Sequence, residues 1–474
     1  MKYKSIKINA FLNILRQCCK ILIPFLTYPY ICRILGADGL GKFSFADSII
    51  QYFLIFASLG IPTYALREGA RIRDDSVRIR KFISEIFTIN VIAMLSSYTI
   101  LLIILLIIPR INQEYTLFCI LSWNIFSNVL GRDWINTIYE DFAFITIRTI
   151  IFQLVSLFLT FLFVKNTNDY LIYAIITVLT NFLSSITNLF YTQKYIPIQL
   201  IKRNNWKHHI TPIFSLFCIS LTMTIYVQSD ITMLGFFKSD REIGIYTLTT
   251  KIYTIVKNIL SAMITVSIPR LASYLGKEKK SLYNGFLNDL NDFITTFAFP
   301  AVVGLAFISR DILYIFGGKE YINGDMSLVF LCIAMLFSLY SILFANGVLI
   351  INRKEKFFLR ATIISALINL SFNFIFIPLM GIEGAALTTI IAEIVVYISC
   401  IYRAKEYYEK NSNINKKNIG AGCLIIALVC TLSKVIFTNI ILRIMISVII
   451  SVICYLAIMV ITKNKIILSF IKNK

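Results

Sequence analysis

Histidine is nearly missing from this chain, and with it most of what soluble catalysis draws on. Two histidines, the adjacent His208 and His209, occur in 474 residues. A zinc site built on several imidazoles is therefore excluded, and the pair, set in a basic loop, is expected at an interface. No G-x-x-x-x-G-K-[ST] loop is present, which excludes an ATPase of the chain's own. Long hydrophilic stretches are also lacking: the longest, around 67–81 and 192–210, reach about 15–20 residues, too few for a folded catalytic domain. The 10 cysteines are scattered, mostly within apolar runs (Cys18, Cys119, Cys218, Cys454), without metal or redox spacing, so they read as small apolar residues. No catalytic group and no metal site is expected, and transport is favoured over catalysis.

What is present is hydrocarbon. The sequence is 58% hydrophobic with a mean hydropathy of +0.77, the composition of an all-α polytopic membrane protein. Fourteen apolar segments approach the ~20 residues that a helix needs to cross hydrocarbon. They lie near 11–35, 42–61, 82–108, 115–138, 142–164, 170–191, 211–236 and 243–268, then near 286–308, 325–351, 357–378, 381–402, 418–437 and 440–462. Only Thr438 and Asn439 divide the last pair.

Charge tests the count. Of 46 Lys and Arg, against 25 Asp and Glu, 30 fall in the termini and alternate loops on one side, seven on the other, and nine inside the apolar segments. With both termini cytoplasmic, the basic loops are Arg67–Lys81, Lys194–Lys207, Arg270–Lys280, Arg353–Arg360 and Arg403–Lys417, and 139–141 is the exception. The net charge of +21 is thereby explained by topology, and no domain remains to bind nucleic acid. The first segment is interrupted by Arg16 and Lys20 and shows no small-residue cleavage site, so it reads as a retained span.

A charge at mid-membrane costs about 2.5–3.5 kcal/mol on insertion scales, so each one points to function. Arg16 and Lys20 share a face of the first span, where Pro24 and Pro29 are expected to kink or loosen the helix. Lys251 and Lys257 lie deep in the eighth. Arg33, Lys434 and Arg443 sit near span ends and are expected to snorkel. For Arg132 and Arg148, snorkelling and cavity lining are equally open. Asp47, Asp230 and Glu393 are ion-pair partners or protonatable coupling groups. Polar stripes run through the second span (Ser44, Asp47, Ser48, Gln51) and the fourth (Asn124, Ser127, Asn128, Gly131). They also run through the sixth (Asn181, Ser184, Ser185, Asn188) and the eleventh (Ser365, Asn369, Asn373). In the last two, helix–helix contact and solute contact are equally open.

Ile34-Leu35-Gly36 and Gly41 are echoed by Met233-Leu234-Gly235 and Gly244. That spacing matches six helices per repeat, with two lobes related by an axis along the membrane normal. The expected domains are 1–205 (spans 1–6), 206–410 (spans 7–12) and a C-terminal helix pair, 411–474.

ILGADGLGKFSFADSI (34–49), GIPTYALREGARIRDD (60–75), SDITMLGFFKSDREIGIYTLTTKI (229–252) and GIEGAALTTIIAE (381–393) resemble the Wzx-type polysaccharide and O-antigen flippases. Those belong to the multidrug/oligosaccharidyl-lipid/polysaccharide exporter superfamily. The resemblance implies two six-helix lobes around a central cavity and alternating access. It also implies movement of undecaprenyl-diphosphate-linked sugar repeat units across the bacterial cytoplasmic membrane. Within the matched motifs it implies a cation-lined lumen at Lys251 with Asp230 as acidic partner, and a gating pair at Arg67 and Glu68. Arg16, Lys20 and Lys257 rest on burial alone. The implied partners are the lipid-linked glycan, membrane lipids and the polymerase and chain-length machinery. No cofactor is implied. Turnover would draw on an H+ or Na+ gradient or on consumption of the product. Two alternatives are a drug/cation antiporter of the same superfamily, which predicts an acid-dominated lumen, and a polymerase or ligase. The latter predicts a large outer loop, and the longest here is 309–324.

Overall fold

The computed structural model describes residues 6–195, 206–409, 415–464 and 466–468, with side chains except at 6–11, 13, 14, 17, 18, 20, 21, 206 and 207. Among the described residues there is no strand. The helices are α1 Ile6–Ser58, α2 Ile61–Ile72, α3 Ser76–Ile107, α4 Pro109–Asn112, α5 Tyr115–Gly131, α6 Asp133–Ile138, α7 Phe142–Phe163, α8 Tyr170–Thr192 and α9 Trp206–Phe237. They continue with α10 Asp240–Gly276, α11 Lys280–Phe307, α12 Ser309–Gly317, α13 Asp325–Phe344, α14 Glu355–Met380, α15 Ile382–Ala404, α16 Lys416–Ile436 and α17 Ile440–Ile461. Contacts divide the chain into two units, Met1–Gly244 and Ile245–Lys474.

Among the described residues, twelve segments are long and apolar enough to cross a membrane. The difference from fourteen arises at two places. The first two expected spans run with α2 as one segment, Leu22–Ile72, because the expected turn at 36–41 is a bend at one residue: Gly36, at φ 66° and ψ −178°, is the only non-helical point inside α1. That conformation is open essentially to glycine alone. Helical geometry continues through Pro24 and Pro29, so the bend falls at the glycine rather than at the prolines. The second place is the fourth expected span, 115–138, which breaks at Arg132 and leaves α5 with 17 residues. By contrast, the division between the last two spans is firm. The Asn439 side chain accepts from the amides of Ile441 and Leu442 at 3.0 and 3.3 Å and starts α17.

Two of the echoed glycines, Gly41 and Gly244, sit at one crossing. A Cβ on Gly41 would collide with the carbonyl of Asp240, and one on Gly244 with the carbonyl of Ala37. The bend of α1 and the start of α10 thus cross backbone to backbone inside the first unit. Arg110 of α4 reinforces the crossing. It pairs with Asp240, donates to the Gly235 carbonyl at 3.0 Å and lies 5.1 Å over the Phe45 ring. Lys42 is likewise paired, with Glu114 at 2.7 Å.

The 139–141 connection, the one expected inner loop without basic residues, is neutralised by its neighbours. Glu140 accepts from Arg73 at 2.7 Å, and buried Asp141 accepts from Tyr195 at 2.6 Å and pairs with Lys194 at 3.4 Å. Burial, then this hydrogen bond, pushes the Tyr195 phenol well above its ordinary range.

Candidate functional site

The site begins at the broken fourth span. Arg132 caps α5 in the left-handed region at φ 49°, a conformation that costs a non-glycine residue about 1–2 kcal/mol. Asn188 of α8 offsets that cost. Its amide donates to the Gly131 carbonyl and, at 3.0 Å, to Asp133, while its oxygen accepts from Asn136. Breaking the helix here frees the Gly131 carbonyl and sets Asp133 in the first turn of α6, facing α7. There Arg148 Nη2 donates to Asp133 Oδ1 at 2.6 Å. The guanidinium is buried, at 7% exposed for the residue, and its Nε and Nη1 have no acceptor. The Asp133 side chain is 58% exposed.

This pair forms part of the wall of a cavity of about 580 Å³ within the first unit, and the polar stripes supply the rest. Asp47 and Gln51 come from α1. Asn124, Ser127 and Asn128 come from α5, Gln153 and Ser156 from α7, and Asn181, Ser184 and Ser185 from α8. Asn181 donates to Asn124 at 3.1 Å, Gln51 to Asp47 at 3.3 Å, and the carbonyl oxygen of Gln153 is buried without a donor. Pro62 and Phe152 contribute apolar surface. A wall of carboxamides, hydroxyls and one guanidinium offers both donors and acceptors around a volume typical of ligand pockets.

The structure decides the stripes individually. In the sixth span three residues line the cavity and Asn188 holds the helix break. In the eleventh, Ser365 donates to the Ala392 carbonyl at 2.7 Å, Asn373 to Asn369 at 3.2 Å, and Thr388 to Asn373. That stripe is the seam between α14 and α15, in which the buried polar groups satisfy each other.

Arg16, half-buried on α1, has Asp133 and Arg148 as its charged neighbours. The side chain of Lys20 lies outside the described residues. Arg148 lines the cavity, whereas Arg132 stacks 3.7 Å over the Phe87 ring and is buried. Asp47 faces the cavity, and buried Asp230 of α9 neighbours Tyr52. In the second unit Lys257 donates to Tyr253 at 3.1 Å, with its ammonium 4.7 Å from that ring, and the buried Glu393 of α15 is its charged neighbour. Lys251 is half-buried six residues earlier on α10. Arg67 pairs with Glu68 at 2.9 Å on α2, joined by Arg71 at 3.3 Å, all at an exposed surface.

Two expectations change. Arg443 does not simply reach for the interface; it pairs with the buried Asp311 of α12, because that acid would otherwise be desolvated alone. His209 is buried while His208 is exposed. Sequence reasoning also passed over Asp133 and Gln153. Asp133 was readable as an acid next to Arg132 inside an apolar run, and Gln153 as a lone carboxamide among the apolar residues of the fifth span.

The family described as "Polysaccharide biosynthesis protein" matches residues 6–275. The chain belongs to that family. It is 21% identical over 398 residues to the "Putative O-antigen transporter" of Escherichia coli (strain K12), covering 83% of this chain and 95% of the relative. It is 26% identical over 406 residues to the "Capsular polysaccharide biosynthesis protein CapF" of Staphylococcus aureus, covering 84% and 97%. Its fold is that of the lipid II flippase MurJ in an inward closed conformation, with a TM-score of 0.80 at 17% identity over 97% of this chain and 100% of that one. A multi-pass membrane protein of the polysaccharide-biosynthesis family is thereby shown, in agreement with the class expected from the motifs.

Proposed function

We propose that this chain translocates undecaprenyl-diphosphate-linked oligosaccharide repeat units across the bacterial cytoplasmic membrane by alternating access, for O-antigen or another surface polysaccharide. The observation that carries this reading is a polar cavity of about 580 Å³ walled by carboxamides, hydroxyls and Arg148 inside an apolar helical body. Sugar hydroxyls carry both donors and acceptors, and burying them unpaired is costly, so a wall of this chemistry replaces their water. The lipid diphosphate bears negative charge, and Arg16, Arg148, Lys251 and Lys257 are the cations assigned to compensate it. The polyprenyl tail stays in lipid. Both termini are assigned to the cytoplasm by the bias of basic loops. Asp47, Asp230 and Glu393 are assigned as groups through which an H+ or Na+ gradient couples to turnover. The polymerase and chain-length machinery would take up the product.

The cavity also speaks against the drug/cation antiporter. Of its two carboxylates, Asp133 is compensated by Arg148, which leaves Asp47 as a single acid rather than an acid-dominated lumen. The test is surface-polymer output in cells complemented with Lys251→Ala or Lys257→Ala. Output should fall at least about tenfold, the equivalent of 1.4 kcal/mol, with protein levels in the membrane unchanged. Normal polymer in both variants would refute the cationic assignment, and a glycan-independent flipping activity would refute the substrate.

A further inference from the structure

Tyr64 of α2, Glu85 of α3 and His209 of α9 meet inside an otherwise apolar cluster that includes Ile61, Phe82, Ile86 and Ile213. His209 Nδ1 lies 2.8 Å from the Tyr64 hydroxyl and Nε2 lies 3.1 Å from Glu85 Oε2. His209 and Glu85 are each 7% exposed. Among the described residues, the other charged or titratable groups around this trio are Arg67, 5.8 Å from the Tyr64 ring, with Glu68 on α2, the His208 ring, 5.5 Å away on α9, and the phenols of Tyr139 and Tyr195 packed against the cluster. From α6 the cluster receives only Trp134, Ile135 and Ile138.

Imidazole is the side-chain group whose charge changes between about pH 5 and 8, and this one can be satisfied in both forms. When it is neutral, the Tyr64 hydroxyl donates to Nδ1 and Nε2–H donates to Glu85. When it is protonated, Nδ1–H must donate to the Tyr64 oxygen, so the Tyr64 hydroxyl hydrogen turns away and needs a new acceptor. The carboxylate of Glu68 lies one turn along the same helix, where Arg67 and Arg71 hold it. We propose that His209, with Glu85 and Tyr64, is a proton-binding site that couples this transporter to a proton gradient by re-pairing Glu68 on α2. One proton is taken up from hydronium, whose O–H bond breaks as the Nδ1–H bond forms, and no other covalent bond changes. The site is separate from Asp47, Asp230 and Glu393, and it rests on the transport reading only for its use in the cycle.

The chain holds only these two histidines, so 15N-histidine-labelled His208→Ala protein in lipid nanodiscs reports a single imidazole. On lowering the pH from about 8 to 5, its nitrogens should convert reversibly to the doubly protonated form. Hydrogen-exchange protection factors across residues 61–72, taken relative to the intrinsic rate at each pH, should change with the same midpoint. Glu85→Gln should displace the midpoint of both readouts together, because the imidazolium loses its anion. Tyr64→Phe should keep the titration and remove its effect on residues 61–72. His209→Gln should remove that midpoint from the protection factors and make polymer output in cells insensitive to external pH. An imidazole that holds one protonation state throughout, or titrates without any change in residues 61–72, overturns the proposal. Neither spectroscopic readout involves a glycan. Failure of the transport reading, seen as normal polymer in the lysine variants, is therefore distinguishable from failure here.

Discussion

The crossing of α1 and α10 gives a sharp prediction, because it is backbone on backbone. In Gly244→Ala the new Cβ would fall well inside the 3.0 Å that real Cβ atoms essentially never cross, and the obstruction is the Ala37 carbonyl rather than a flexible side-chain end. Neither side can rotate away, so the crossing must open. Overpacking of a tight interior costs typically about 1–3 kcal/mol, and with rigid carbonyl atoms on the far side the upper end applies. That corresponds to roughly a hundredfold shift against the packed arrangement. Opening it also stretches the Arg110–Asp240 pair and the bond from Arg110 to the Gly235 carbonyl. Gly41→Ala meets the Asp240 carbonyl at the same crossing, so the two substitutions together should cost less than their sum. The controls are Gly285→Ala and Gly420→Ala, where nothing lies within 4 Å and a helical alanine gains up to about 1 kcal/mol. Thermal unfolding of the detergent-solubilised protein and polymer output in complemented cells should fall for Gly244→Ala and Gly41→Ala and hold for the controls. Wild-type stability and output in Gly244→Ala would refute the reasoning, since it would mean that the crossing is slack.

Other ion pairs give asymmetric expectations. Asp133→Asn leaves a buried guanidinium without its anion, whereas Arg148→Met leaves a carboxylate that water still reaches. The first should therefore lose about 2–3 kcal/mol and the second distinctly less, read as the difference in unfolding temperatures. At α12 and α17, Arg443→Leu alone strands the buried Asp311 and should cost about 3–5 kcal/mol. The double variant Arg443→Leu/Asp311→Leu should recover most of that loss, which a double-mutant cycle measures directly.

The sequence by itself determined the class and the order of most spans, because apolar length and the placement of basic residues act locally and one residue at a time; the bend at Gly36 and the break at Arg132 lay beyond it. It also supplied the polar stripes, since periodicity alone puts Asp47 with Gln51, or Asn181 with Ser184 and Ser185, on one helical face. It could not say what each face meets. Asn181 and Asn188 share a stripe, yet one lines a cavity and the other holds a helix break. Asn373 satisfies itself against α15, while Arg443 and His209, both read as interfacial, are buried against Asp311 and Glu85. A stripe records only that a polar group must be paired. Which partner pairs with it depends on contacts between residues far apart in the chain, as with the 124 positions between Glu85 and His209, and tertiary packing alone chooses among them.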